Sequence, residues 1–454
     1  MRLSNQILFF AVLAIIVYAK LYAAPSAISG LSVKNIVLYL AFISILLFNM
    51  NSLPQLTSLP GVGAIAGLLV LAPVSMFYAP AFAYGAHLVT FTMLADYKNE
   101  LFDPFLFYGI AYVITARPET GLQPMRAVVI TFGLLNILAL SYYVTGLNPF
   151  YQTVLSQHHT RFASYGSYSN QGAYSLGMFL PLTYYLYVRA QAQAARLFYI
   201  FLMLTSMAGI ALSGSRGAML ALAAEFLLLM IWTRKYGFFL RVIALGAIGL
   251  VLFALSTHEQ FLTHALSRMR LFAGNSHAQQ YLRSQGYSNL DIISSGRTFV
   301  WSGILKLFSL HPLAAFMGFG WGTFDAHIYQ ALGTVIATHN MFLKMWAELG
   351  FTGLFFTAWL GGNVFRSFRQ WVRPYDPLLD QCIRASMFIV LWTFMLSAPI
   401  DLYVIWSFTF GVLAGYARHA REHSQSCAQA KTTADAVSSQ AVSANTSGPY
   451  YRAR

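Results

Sequence analysis

Residues 196–233 read RLFYIFLMLTSMAGIALSGSRGAMLALAAEFLLLMIWT. Two apolar runs, each close to the roughly 20 residues that cross the hydrocarbon of a bilayer, flank the short polar stretch Ser213-Gly214-Ser215-Arg216-Gly217. Comparable apolar runs recur along the chain from residue 6 to residue 417. We therefore predict an all-α polytopic membrane protein with about 12 transmembrane helices.

The composition points to the same class of protein. Apolar residues make up 57% of the 454 residues and charged residues 9%, against roughly 25% charged in an ordinary soluble domain. The formal net charge of +14 would suit nucleic acid in a soluble protein, but in a membrane protein basic residues mark cytoplasmic loops or hold anionic ligands. We expect membrane lipids, and no nucleic acid, as surroundings for this chain.

Several kinds of chemistry lack their usual sequence signals. Cys382 and Cys427 belong to no Cys-x-x-Cys or Cys/His pattern, which argues against a disulfide framework, an iron–sulfur site or a thiolate zinc site. A phosphate-binding Gly-rich loop with Lys-Ser/Thr, a His-Glu-x-x-His pair and an Asp-x-Asp pair outside the membrane are also missing. We therefore expect no metal and no cofactor.

Basic clusters between the apolar runs predict the orientation, because short loops rich in Lys and Arg stay in the cytoplasm. The predicted organisation is transmembrane helices 1–9 in residues 1–256, a mostly helical periplasmic loop domain at 257–340, helices 10–12 at 341–418 and a disordered cytoplasmic tail at 419–454. The apolar run near 81–95 is short and runs into Asp96, Lys98 and Glu100. It favours a helix lying in the membrane interface, although a crossing of the membrane stays open.

The stretch 213–217 predicts an anion site. Its glycines and serines allow a tight turn, and the helix that follows presents its N-terminal N–H groups and positive dipole end to the same side as Arg216. Arg161 and Arg297 are predicted on that side too, and guanidinium groups suit bidentate binding of phosphate. The alternative is that Arg216 only reaches toward lipid headgroups and that the other two are ordinary loop cations.

A second candidate is Thr338-His339-Asn340, followed by Lys344 and Glu348. Histidine exchanges a proton near neutral pH, and Lys344 and Glu348 are spaced so that they can pair on one helix face. The alternative is that His339 only caps the helix. Side chains that could line the same cavity are His87, Tyr168, Asn170, Gln171 and Asp401, and Glu225 is an ionisable group within a span.

Two stretches carry a resemblance to a known family. Residues 211–220 read ALSGSRGAML, and residues 337–353 read ATHNMFLKMWAELGFTG, with the long predicted external loop between them. In this order, these motifs resemble the O-antigen ligase and polymerase superfamily over roughly residues 60 to 417. That family has its large periplasmic loop between the ninth and tenth of twelve spans, and the resemblance implies a glycosyltransferase fold of the C-type membrane class.

The resemblance also implies a reaction and the residues that perform it. Members transfer a glycan from undecaprenyl pyrophosphate to an acceptor, and the ligases need no metal. The implied catalytic residues are His339 as base with Arg216 and Arg297 at the pyrophosphate. For binding the pyrophosphate and glycan, the resemblance implies Arg216 and Arg297 and, in a looser pattern, Arg161. The residues themselves add Ser215, Asn340, His87 and Gln171 to this expected set.

The expected function is an inverting, metal-independent O-antigen ligase of the bacterial inner membrane with its active site facing the periplasm. Its partners would be an undecaprenyl pyrophosphate-linked O-antigen donor and the lipid A core oligosaccharide as acceptor. A polysaccharide polymerase and a protein O-oligosaccharyltransferase remain open. A transporter of the lipid-linked glycan would use a similar basic cavity, but it predicts related halves with broken helices, and no internal repeat is evident.

Overall fold

A computed structural model describes residues 2–21, 33–48, 53–79, 90–116, 122–145, 162, 169–256, 297–332, 340–396 and 403–446. The regular elements within these ranges are helices. In chain order they are α1 (Arg2–Leu21), α2 (Val33–Phe48), α3 (Leu53–Leu56), α4 (Val62–Tyr78), α5 (Phe91–Tyr97), α6 (Asp103–Thr115), α7 (Gln123–Thr145), α8 (Ser169–Arg189), α9 (Gln193–Leu212), α10 (Arg216–Thr233), α11 (Tyr236–Ser256), α12 (Arg297–Leu310), α13 (Pro312–Met317), α14 (Phe324–Leu332), α15 (Met341–Val372), α16 (Pro377–Leu396) and α17 (Tyr403–Thr446).

Four of these helices are long and apolar enough to cross a membrane: α7, α9, α10 and α16. Shorter apolar helical segments lie at Gln6–Tyr18, Asn35–Ile45, Val62–Tyr78 and Tyr236–Gly249. The expected all-α, multi-pass architecture is confirmed in this coarse form. The count of 12 spans and the placement of the loops stay predictions.

Small residues let the helices of the main bundle approach closely. Gly411 and Gly415 of α17 face α6, where an added Cβ would collide with the Tyr108 carbonyl or the Thr115 hydroxyl. Such close contacts favour helix association in lipid, because apolar burial there gives no advantage over the lipid tails. This packing fixes α6, and with it the acidic segment just before α6, against α17.

The acidic segment Asp96 to Asp103 is helical. A π-helical turn, Lys98–Phe102, joins α5 directly to α6. Glu100 and Asp103 are buried, and Lys98 pairs with Asp103 at 2.9 Å. Most of the predicted interfacial helix near 81–95 lies outside the described residues, and its last five positions belong to this continuous helix.

Helices α12 to α14 form a small layer against the start of α15. The N–H groups of Phe319 and Gly320 donate to the carbonyls of Ala347 and Glu348, at 2.7 and 3.0 Å. Those carbonyls are available because α15 is interrupted at Gly350, which has a φ of 66°. Residues 297–332 are mostly helical, whereas residues 257–296 and 333–339 of the predicted loop domain lie outside the described ranges. The boundaries of that domain stay a prediction.

The C-terminal segment is helical as far as Thr446, and the prediction of a disordered cytoplasmic tail stays a prediction. Helix α17 continues from the bundle to Thr446. Residues 419–446 contain many good helix formers such as Ala, Gln, Glu and Lys, and Arg418 pairs with Glu422 one turn later at 2.7 Å. Low hydrophobicity therefore did not prevent this stretch from continuing an existing helix, since extending a helix avoids the cost of nucleating one.

Candidate active site

The polar stretch between α9 and α10 is a tight, internally bonded turn. Gly214 adopts a φ of 61°, which L side chains rarely allow. The N–H of Ser215 donates to the Ser213 hydroxyl at 3.1 Å, and the Ser215 hydroxyl accepts from the N–H of Ala218 at 3.3 Å. Ser215 is thus the N-cap of α10, and Arg216 is the first residue of a helix whose positive dipole end lies at this turn.

Tyr174 of α8 closes one side of the turn. It is fully buried, and its hydroxyl lies in hydrogen-bond contact with the Ser215 side chain. A Cβ at Gly217 would collide with that hydroxyl, so glycine is needed for this approach. The indole N–H of Trp392 donates to the Gly217 carbonyl at 3.1 Å, which fixes α16 against the start of α10.

Arg297 is the first residue of α12 and approaches the same turn from the layer formed by α12 to α14. Burial lowers the pKa of its guanidinium, and the nearby positive charge of Arg216 lowers that pKa further, whereas Tyr174 acts in the opposite direction. The buried Nε of Arg297 has no hydrogen-bond partner among the described residues. Two cations thus share one partly buried place at a helix N-terminus, an arrangement that an anion would stabilise.

Asn340 lies at the start of α15 and acts as its N-cap. Its side-chain oxygen accepts from the N–H of Leu343 at 3.0 Å. The preceding residue, His339, lies outside the described residues, as do Arg161 and His87, and the side chain of Gln171 is not described either. Their roles stay predictions.

The residue after Arg161 gives one relevant position. Phe162 is buried and packs edge-on against Tyr143 of α7, with ring centroids 5.6 Å apart. It also lies beside Gly209, one turn before Ser213 at the end of α9. The chain next to Arg161 therefore runs close to the turn that carries Arg216.

The comparison with family models matches residues 198–358 to a family described as O-Antigen ligase. The matched segment runs from α9 into α15 and includes both motifs and both described arginines. This match supports membership of the O-antigen ligase superfamily. The resemblance expected from the two motifs is confirmed over the matched segment, and the match supports a function of the O-antigen ligase or polymerase type in general. No curated protein matches the chain.

Sequence reasoning missed an ion pair that joins the matched segment to an earlier part of the chain. Lys344 bonds Glu100 at 2.6 and 2.8 Å, and its ammonium lies 5.6 Å from the centre of the Trp321 ring. The expected neighbour on the same helix, Glu348, acts on Lys344 as a nearby negative charge. The available signal was the position of Glu100 beside an apolar run, where an ionisable residue implies a specific partner.

Glu225 lies in the O-antigen ligase domain but apart from the arginines. It is 0% exposed, and neither carboxyl oxygen has a hydrogen-bond partner in the described part of the chain. Nine residues after Arg216, it lies about 13 Å deeper along α10. Its place in the helix therefore separates it from the anion site. Across the described ranges, His, Cys, Asp and Glu form no group of three that could hold a metal ion.

Proposed function

We propose that this chain is an inverting glycosyltransferase that transfers O-antigen polysaccharide from undecaprenyl pyrophosphate to the lipid A core oligosaccharide at the periplasmic face of the inner membrane. The observation that carries the proposal is the approach of Arg297 to Arg216 at the N-terminus of α10. The superfamily match supports the reaction class.

The arginine pair fits a pyrophosphate leaving group. As the glycosidic bond breaks, the oxygen that leaves with the bonding electron pair gains negative charge. Guanidinium groups carry a permanent positive charge, and the partial burial of Arg216 and Arg297 strengthens their attraction to the charge on that oxygen. Each such contact contributes about 2 to 4 kcal/mol to transition-state stabilisation when it forms in a water-poor site. The N–H groups at the start of α10 would add to it.

His339 is the proposed base. An acceptor hydroxyl must lose its proton as its oxygen attacks the anomeric carbon, and an imidazole can take that proton near neutral pH. Asn340 caps α15 directly after His339, so the proposed base is attached to the fixed start of a helix. Attack on one face and departure of pyrophosphate from the other would invert the anomeric centre.

The arginines would make a metal ion unnecessary, because they supply the positive charge that a divalent cation supplies elsewhere. Arg161, Ser215, Asn340, His87 and Gln171 would bind the pyrophosphate or the glycan. Of these, Ser215 has a second function as the cap that orients the first turn of α10.

Deletion of the gene followed by glycolipid analysis tests the choice of acceptor. We expect loss of polymer from lipid A core together with accumulation of long lipid-linked chains. Single-repeat products would instead identify a polymerase, and loss of glycan from proteins would identify a protein O-oligosaccharyltransferase. Complementation with Arg216→Ala, at matched protein level, should leave the deletion phenotype in place.

A further inference from the structure

Three arginines line a shallow pocket at the end of α15 farthest from Asn340. The pocket has a volume of about 550 Å³ and is lined by Arg366, Arg369, Gln370, Arg373 and Pro374. The three guanidinium side chains are exposed. The pocket is therefore a cationic surface separate from the anion site at Arg216.

Neighbouring arginines form ion pairs with carboxylates, whereas Arg369 and Arg373 act on Asp380 only as nearby charges. Arg189 pairs with Asp376 at 2.6 Å, and Arg384 pairs with Asp380 at 2.9 Å. Within the described ranges, the guanidinium groups of the pocket form no ion pair or hydrogen bond with the protein. Asp376 and Asp380 are thus paired directly with Arg189 and Arg384, and the guanidinium groups of the pocket keep hydrogen-bond donors that an external anion could use.

An exposed apolar strip leads into the pocket along the same helix face. Phe351, Phe355 and Trp359 are 45%, 60% and 42% exposed. At about 100° per residue, these side chains and the three arginines lie within roughly 80° of one another around α15. Between them, a Cβ added at Gly362 would meet nothing within 4 Å, so the strip is open where it approaches the arginines.

The dimensions suit a lipid. The part of α15 after Gly350 is about 33 Å long, close to the roughly 30 Å thickness of the hydrocarbon core. With α15 as the predicted tenth span, the pocket would lie at the level of lipid headgroups and the aromatic strip at the level of acyl chains. From Arg366 to Arg373 the helix rises by about 10 Å, which is a wider reach than one phosphate needs.

We propose that this pocket binds an anionic phospholipid whose headgroup carries two phosphates, as in cardiolipin. The arginines would bind the phosphates through charge-assisted hydrogen bonds, and the acyl chains would lie along Phe351, Phe355 and Trp359. The proposal does not depend on glycan transfer.

The test uses the purified full-length chain in nanodiscs of phosphatidylcholine that contain a small fraction of cardiolipin, phosphatidylglycerol or phosphatidylethanolamine. Lipids that remain bound are counted by native mass spectrometry. We expect cardiolipin to be retained in preference to the other two. The triple variant Arg366→Gln, Arg369→Gln, Arg373→Gln should bind it at least about tenfold more weakly, since each basic residue contributes to attraction at a membrane surface.

The matched control removes the same charge from another exposed cluster, by Arg234→Gln, Lys235→Gln and Arg241→Gln, and should change cardiolipin affinity less than about twofold. Equal weakening in both triple variants, or equal retention of phosphatidylglycerol and cardiolipin, would overturn the proposal. If the triple variant is not monodisperse, Arg369→Gln alone should weaken binding about threefold and Arg369→Lys should restore part of it. Wild-type affinity in Arg369→Gln would then count against the site.

Discussion

The ammonium of Lys344 bonds both carboxylate oxygens of Glu100, at 2.6 and 2.8 Å, across 244 residues of sequence. Lys344 lies one turn after the cap residue Asn340, and Glu100 lies in the π-helical turn before α6. Both side chains are largely buried. The pair therefore ties the start of the helix that follows His339 to the bundle formed by α6 and α17.

Loss of one partner of this pair should destabilise the fold. Glu100→Gln leaves the Lys344 ammonium buried without its closest carboxylate, which should cost about 2 to 4 kcal/mol, with Glu348 retained nearby. Thermal unfolding of the purified chain in detergent measures the effect. The double variant Glu100→Gln, Lys344→Met should lose less than Glu100→Gln alone.

The exposed pair of Arg418 and Glu422 provides the control for that measurement. Glu422→Gln should change stability by less than about 1 kcal/mol. If Glu100→Gln and Glu422→Gln lowered the melting temperature equally, the pair would not have the structural role described.

Arg216→Ala and Arg297→Ala should each remove most transferase activity. Loss of one charge-assisted contact to phosphate of about 2 to 4 kcal/mol corresponds to roughly 30- to 1,000-fold in rate. Lysine should rescue only in part, because it lacks the bidentate fork, and Arg161→Ala should be milder or equal. Lys306→Ala, an exposed cation on α12, is the control. Full activity of Arg216→Ala at matched protein level would refute the pyrophosphate assignment.

His339→Ala and His339→Gln should keep donor binding but lose transfer, because the arginines and not the imidazole bind the pyrophosphate. The rate of the wild-type enzyme should fall as pH drops through the pKa of the histidine, since an imidazolium cannot accept a proton. Chelators should have no effect. A glutamine variant at the wild-type rate, or activity that chelator abolishes and magnesium restores, would contradict this mechanism.

Residues 148–171 and 257–340 should be periplasmic and both termini cytoplasmic, because the basic clusters between spans alternate with these segments. Single cysteines in a variant lacking Cys382 and Cys427 can be labelled with an impermeant reagent in intact cells. Cys382 is buried, so its replacement should keep its small volume. Labelling of Ser426→Cys from outside the cell would reverse the assignment.

The layer formed by helices α12 to α14 should lose stability in acid because of His327. Its ring is buried against Phe319, with centroids 4.3 Å apart, and burial, followed by the charge of His311, lowers its pKa to about 4. The unfolded chain binds this proton near pH 6.5, so stability is constant above that pH and falls as pH drops toward 4, by at most about 3 kcal/mol. Limited proteolysis of residues 297–332 at pH 7 and pH 4.5 measures it, and His327→Phe should remove most of the difference.

Much of the fold could be predicted because apolar runs of membrane length become helices whatever they pack against. The burial of Glu100 could not be predicted, because its partner Lys344 is 244 residues away. Local periodicity carries no information about such tertiary pairing. For the same reason, sequence put Arg216 and Arg297 on one side of the membrane, but only packing brings their charges together. The extent of α17 was not predictable from composition alone, because helix extension depends on the preceding helix as well.

The interruption of α15 at Gly350 has a consequence for recognising related chains. A side chain there would collide with the Phe316 carbonyl, and one at Gly318 would collide with the Glu348 carbonyl, so the two glycines are sterically interdependent. Replacing either glycine would separate the layer of α12 to α14 from the start of α15, even with His339 and both arginines intact. A distant sequence that keeps the histidine but lacks this glycine pair would need a different backbone conformation here. Its residues in this region could not be aligned one by one with those of this structure.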